Sequence, residues 1–142
     1  MSAPVGMGRI KLSDGTVIKL KTLIIDVKES GFSPFGGVNF DVKIIGGIAT
    51  ESVPDNVKEL VKDKPLAPPE PPREGWEILD IAEQQPAEAV TSVSIPLGNF
   101  SIKVVSEVVM ASRNTMYRTP TNEPIYWVSW VNKVSWRPLK GT

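Results

Sequence analysis

The sequence has 142 residues and contains neither histidine nor cysteine. Histidine is the usual acid–base group near neutral pH and the commonest metal ligand. Cysteine is the soft ligand and the most reactive nucleophile. Their absence excludes Ser–His–Asp triads, Cys–His dyads, disulfides and the usual zinc and haem ligation. Also missing are the phosphate-cradling patterns G-x-x-x-x-G-K-S/T and G-x-G-x-x-G, the G-x-S-x-G elbow and the S-x-x-K dyad. Carboxylates, lysines, hydroxyls and two tyrosines remain, and none falls into a catalytic pattern. The chain is expected to be no enzyme and to need no metal and no cofactor.

Two further absences concern placement. Met1–Gly8 has neither the basic start nor the apolar run of a signal peptide. No apolar stretch approaches the roughly 18 residues that span a bilayer. The expectation is a cytoplasmic or virion location with no membrane partner.

What is present suits one domain over residues 1–142, with 41% hydrophobic residues. Lys+Arg and Asp+Glu are each 16 and cancel. Their distribution is uneven: residues 1–50 carry +2, residues 51–90 carry −6 and residues 91–142 carry +4. An acidic middle and a basic end can pair within a chain or between copies.

The first half alternates as β-structure. Ile10 and Leu12, then Ile18 and Leu20, flank Ser13-Asp14-Gly15. A three-residue loop with Gly15 in the left-handed region sets Ile10 opposite Ile18 and leaves one apolar face. Beyond Thr22 the apolar phase moves to Leu23, Ile25 and Val27, predicting a bulge near Thr22. Residues 30–37 form a Gly/Pro loop. Val38, Phe40, Val42 and Ile44 alternate as a strand that Gly46-Gly47 ends. A helix is predicted over Val53–Lys64, capped by Ser52 with Asp55 and buried through Val53, Val57, Leu60 and Val61.

Residues 65–75 are proline-rich, an extended strap or linker between two β-rich halves. Trp76–Ala82 is read as a strand. Gly98-Asn99 is the predicted two-residue turn of a hairpin pairing Leu97 with Phe100, Ile95 with Ile102 and Val93 with Val104. In that register Pro96 lies on an edge strand. Residues 112–124 form a polar loop. In the last strand, Ile125–Trp136, residues Tyr126, Val128, Trp130, Val134 and Trp136 share the core face. The whole predicts a mainly β fold: an antiparallel sandwich or a curled, partly open barrel of about seven strands with one short amphipathic helix.

Three surface features carry candidate function. Trp127, Val131, Lys133 and Arg137 occupy the outer face of the last strand, with Arg113 and Arg118 placed in the preceding loop. This surface fits a subunit interface. It also fits a stacking and phosphate-contacting face for single-stranded nucleic acid, although the chain as a whole is neutral. Pro68, Pro71 and Arg73 form a P-x-x-P-x-R segment of the kind that docks on aromatic grooves. Asp26 and Asp41 on neighbouring strands are a formal carboxylate pair, better explained as solvent-facing residues. The expected function is a non-catalytic structural or assembly protein, a homo-oligomer or partner-binding subunit such as a virion or surface-assembly component. The alternative is a single-stranded nucleic-acid-binding protein.

Overall fold

Alternation over residues 5–29 produces a long hairpin in the computed structural model, which describes residues 4–139. Strand β1 (Val5–Leu12) and β2 (Val17–Glu29) pair antiparallel with Ile10 opposite Ile18. The Leu12 N–H donates to the Thr16 carbonyl across Ser13-Asp14-Gly15, and Gly15 has φ +90°. Both agree with the three-residue loop read from the pattern. The bulge expected near Thr22 is present but displaced, and Thr22 itself is regularly paired. The even phase continues through Thr22 and Ile24, both buried. The register shifts only between Ile24 and Asp26, so the extra residue is Ile25, half exposed. Thr22 stays inside because its hydroxyl bonds Ser106 of the facing sheet.

Strand β3 (Phe40–Ser52) pairs with β2 and continues through Gly46-Gly47 rather than ending there. Gly46 is a close-approach glycine. A Cβ at that position would lie 2.8 Å from Cζ2 of Trp130, whose ring crosses the strand. Ser52 is therefore a strand residue and caps nothing. The helix shrinks to α1 (Asp55–Glu59), with Pro54 at its N-cap and no side-chain cap bond. Val53, Val57 and Val61 are buried as expected, while Leu60 is exposed. So short a helix has little stability of its own; burial of those three valines supplies the rest.

The segment read as one strand from Trp76 is split between two sheets. Strand β4 (Trp76–Leu79) joins β7 (Gly98–Asn114); β5 (Ile81–Gln85) joins β1; β6 (Ala87–Ile95) returns to β7. The first sheet has the order β3-β2-β1-β5. In the second, β4 and β6 lie end to end along one edge of β7, and β8 (Ile125–Pro138) follows the other. The protein is thus mainly β: two antiparallel four-stranded sheets packed as a sandwich, not a closed barrel, with one short helix.

The two crossings have their own chemistry. Where the chain returns to the second sheet, β1 meets the backbone of residues 85–88. Gly6 and Gly8 face inward there. A Cβ on Gly8 would lie 2.5 Å from the Ala87 nitrogen, and one on Gly6 would strike the Glu88 carbonyl. Between β4 and β6 the edge of β7 lacks a strand partner near Val108. The Gln84 side chain fills that gap. Its Oε1 accepts from the Val108 N–H at 2.6 Å and its Nε2 donates to the Val108 carbonyl at 3.0 Å. Buried backbone groups need such partners.

The hairpin of β6 and β7 has its turn at Pro96-Leu97, not Gly98-Asn99, and Phe100 faces Val93 instead of Leu97. Proline is pre-set for the first central position of a turn and cannot donate within a ladder. That preference outweighs the Gly-Asn signal. Pro96 is accordingly a turn residue, not an edge-strand residue. Val93 and Leu97 have the same parity, so the face assignment survives: Phe100, Ile102 and Val104 are buried. Strand β7 also extends to Asn114, leaving the loop to begin only after it.

The core has two main parts. Ile10, Leu12, Ile18 and Leu20 pack with Ala87, Val108, Ala111 and Val128. Val38, Phe40, Phe100 and Ile102 form the second, with Trp136 against it. Phe40 contacts Phe100 and Trp136 edge-on, with ring centroids 5.4 Å apart in each case.

Candidate interaction surface

Strand β8 follows its predicted faces except at Val134, which was expected on the core face and is 38% exposed. Val128 is buried and Tyr126, Trp130 and Trp136 are partly buried, while Trp127, Ser129, Val131, Lys133, Ser135 and Arg137 point outward and are exposed. Its single strand neighbour among the described residues is β7. The opposite edge of fourteen residues is open. Trp127 is 56% exposed and Val131 is 43% exposed. The Lys133 ammonium is held by the Glu107 carboxylate of β7. Arg137 has no ion pair among the described residues.

The two other arginines of the candidate surface lie elsewhere. Arg113 is a β7 residue, not a loop residue. It points inward, with its side chain 13% exposed, and binds Asp14 at 3.2 Å and Glu77 at 3.3 Å. Arg118 donates its Nε–H to the Lys64 carbonyl at 2.9 Å. The sheet therefore separates Arg113 from Trp127, Lys133 and Arg137.

The proline-rich segment is tied down at both ends. Ala67 N–H donates to the Arg118 carbonyl, Arg118 N–H to the Pro65 carbonyl, and the Trp76 indole N–H to the Pro72 carbonyl at 2.7 Å. Trp76 and Trp127 meet at 74° with centroids 6.3 Å apart. Together with Pro71 and Ser112 they line a shallow groove of about 300 Å³. Aromatic-lined grooves are also where extended proline-rich ligands dock. Here this chain's own Pro72 supplies the carbonyl that the Trp76 indole binds. Pro68, Pro71 and Arg73 remain exposed.

Sequence reasoning missed two buried polar groups. At one end of the sandwich Asp14, in the β1–β2 loop, is a hub with its side chain 7% exposed. Its Oδ1 accepts the Thr16 N–H at 2.9 Å, and its Oδ2 accepts from Arg113 and from the Tyr126 hydroxyl at 2.8 Å. With its proton committed to Asp14, the phenol accepts from the Thr16 hydroxyl at 2.7 Å. In the sheet interface the Thr22 hydroxyl donates to Ser106 at 2.6 Å, and Ser106 donates to Asn132 at 2.6 Å. Both groups join strands far apart in sequence. The visible signals were an Asp in a tight turn and a Thr at an apolar position.

Burial pushes the Tyr126 phenol far above its usual pKa of 10, outweighing the opposing hydrogen bond from Thr16; Asp14 adds to the rise. The phenol is thus a fixed donor and no base. The folded chain keeps this proton where the unfolded chain releases it, so its contribution is complete below pH 10 and is lost as pH rises beyond it. Wild-type stability is expected to fall more steeply above pH 10 than that of Tyr126→Phe. Chemical denaturation of both proteins at several alkaline pH values measures the difference; parallel curves would remove this role.

The acidic residues do not converge. Asp26 stands opposite Lys43 and Asp41 opposite Lys28 in the β2–β3 ladder, a charge-paired arrangement. Glu51 binds Arg9 at 2.6 Å and Glu59 binds Lys62 at 2.9 Å. Among the described residues no group of three or more Asp or Glu is placed to hold a metal ion, and no helix is long and apolar enough to cross a membrane. A depression of about 460 Å³ lies on the outer face of the first sheet over Met7, Leu23 and Ile45, with Lys19 and Lys21 beside it. It brings together no acid and base.

Comparison with protein-family models, curated proteins and solved structures finds no match. The fold and surface define a class, a two-sheet antiparallel β-sandwich with a long open edge.

Proposed function

We propose that this protein works without catalysis, as an assembly or interaction subunit that takes up its partner along the free edge of β8. The observation behind the reading is the character of that edge. Natural sheets protect long edges with charges, prolines, bulges or a covering element. From Ile125 to Asn132 the strand has no charge and no proline, and its first cation, Lys133, is already bound to Glu107. An added strand satisfies the open N–H and C=O groups and covers Trp127 and Val131. A coat or accessory component of a virion or surface assembly is the setting in which such an edge is used repeatedly. The nucleic-acid reading has less support: of its four cations Arg113, Arg118 and Lys133 are engaged within the chain, and Arg137 lies ten residues along the strand from Trp127, at the other end of β8.

Light scattering after size exclusion tests the proposal. The wild type is expected to associate as concentration rises. Proline is then placed separately at Val134 and Ser135. Backbone N–H groups alternate sides along a strand, so one of these two points away from β7. The variant that keeps the wild-type melting point should lose association. A wild type that stays monomeric at high concentration, or a well-folded proline variant that associates normally, would overturn the reading.

A further inference from the structure

The surface charge selects which partner fits β8. We infer that it is the β4–β5 edge of a second copy of this chain, giving head-to-tail assembly; this rests on the assembly reading above.

Strand β8 carries no acid and two cations: Arg137, which has no ion pair among the described residues, and Lys133, which already holds Glu107 of β7. Two β8 strands laid together would bring like charges into the same interface, which is unfavourable. The chain has an edge of the opposite character. Residues 74–83 contain Glu74, Glu77, Asp80 and Glu83 and no cation. Glu77 is engaged by Arg113, while Glu74, Asp80 and Glu83 have no ion pair among the described residues. The apolar character also matches: Ile78, 72% exposed, lies among these acids as Trp127 and Val131 lie on β8.

Topology places the two edges on opposite sides of the sandwich. Strand β4 borders β7 on the side away from β8, and β5 is the last strand of the first sheet, farthest from β3. Each copy that uses one edge therefore leaves the other open. Such a heterologous contact propagates as a chain or closes as a ring, rather than stopping at a two-fold dimer. Complementary charge fixes the direction and suppresses β8–β8 pairing. The excess of −6 in residues 51–90 and of +4 in residues 91–142 then serves contacts between copies.

Charge exchange tests this. One protein carries Lys133→Glu and Arg137→Glu, and the other carries Asp80→Lys and Glu83→Lys. All four positions are exposed, and a melting scan checks folding. Each protein alone is expected to associate at least about tenfold more weakly than wild type. An equimolar mixture should regain association, because every contact then joins opposite charges. If association is unchanged by the reversals but abolished by the tolerated β8 proline, β8 is used and the acidic edge is not its partner. If both proteins lose association and the mixture does not regain it, the pairing is also wrong. If the wild type never associates, both this inference and the assembly reading fall.

Discussion

Phe100→Ala is expected to destabilise the protein by about 3–5 kcal/mol, the usual range for deleting a buried aromatic side chain. Phe100 is 3% exposed and packs against Phe40, Val38 and Ile102. Phe40 in turn holds Trp136, so the deletion leaves a cavity where both sheets meet the 30–39 loop. The chain around it cannot close easily. The loop is tied by the Ser30 N–H to the Asn39 carbonyl, and the Trp136 indole N–H donates to Phe35. At this chain length the loss corresponds to a melting point lower by about 10 °C or more. A near-native melting curve would show that the face assignment of β7 is wrong. Trp130→Ala should cost less than full enclosure would predict, because Trp130 is only partly buried.

The second large effect comes from adding a single carbon. Gly6→Ala is expected to destabilise by about 3 kcal/mol or more, at the upper end of overpacking. The new methyl would meet the Glu88 carbonyl and lie 2.8 Å from the Ala89 nitrogen. Both are backbone atoms of a paired strand, so no rotamer change relieves the clash. The strands must separate at the point where the sheets cross. Gly47→Ala is the control, since a Cβ there meets nothing within 4 Å. Equal melting points for the Gly6 and Gly47 variants would mean that the crossing is looser than described. Equilibrium denaturation of the three proteins measures this directly.

This glycine pair shows where sequence reasoning stopped. Gly6 and Gly8 alternate in phase with Ile10 and Leu12, but a glycine has no hydrophobic signature, so its inward face was invisible. Gly46-Gly47 looked like a strand end for the opposite reason: the strand continues and Trp130 needs the space. The hairpin of β6 and β7 was legible in its facing and wrong in its turn. Facing depends only on parity, while the turn depended on a contest between Pro96 and Gly98. The candidate surface divided similarly. Trp127, Val131, Lys133 and Arg137 share one outer face because alternation along a strand is local. Arg113 was misplaced because its partners Asp14 and Glu77 come from distant segments.

The sequence by itself determined the class of the protein and the limits on its chemistry. Period-two alternation made it β-rich and assigned inner and outer faces, and the missing histidine and cysteine removed their catalytic and metal-binding roles. Only the tertiary structure decided which edges stay open, where the chain changes sheets, and which polar residues are core. Asp14, Tyr126 and Arg113 form one cluster, Gln84 replaces a missing strand, and the acidic and basic edges face opposite ways. The physical reason is range. Side-chain alternation is set by neighbours along the chain, whereas a buried polar group or a strand edge takes its meaning from a partner many residues away.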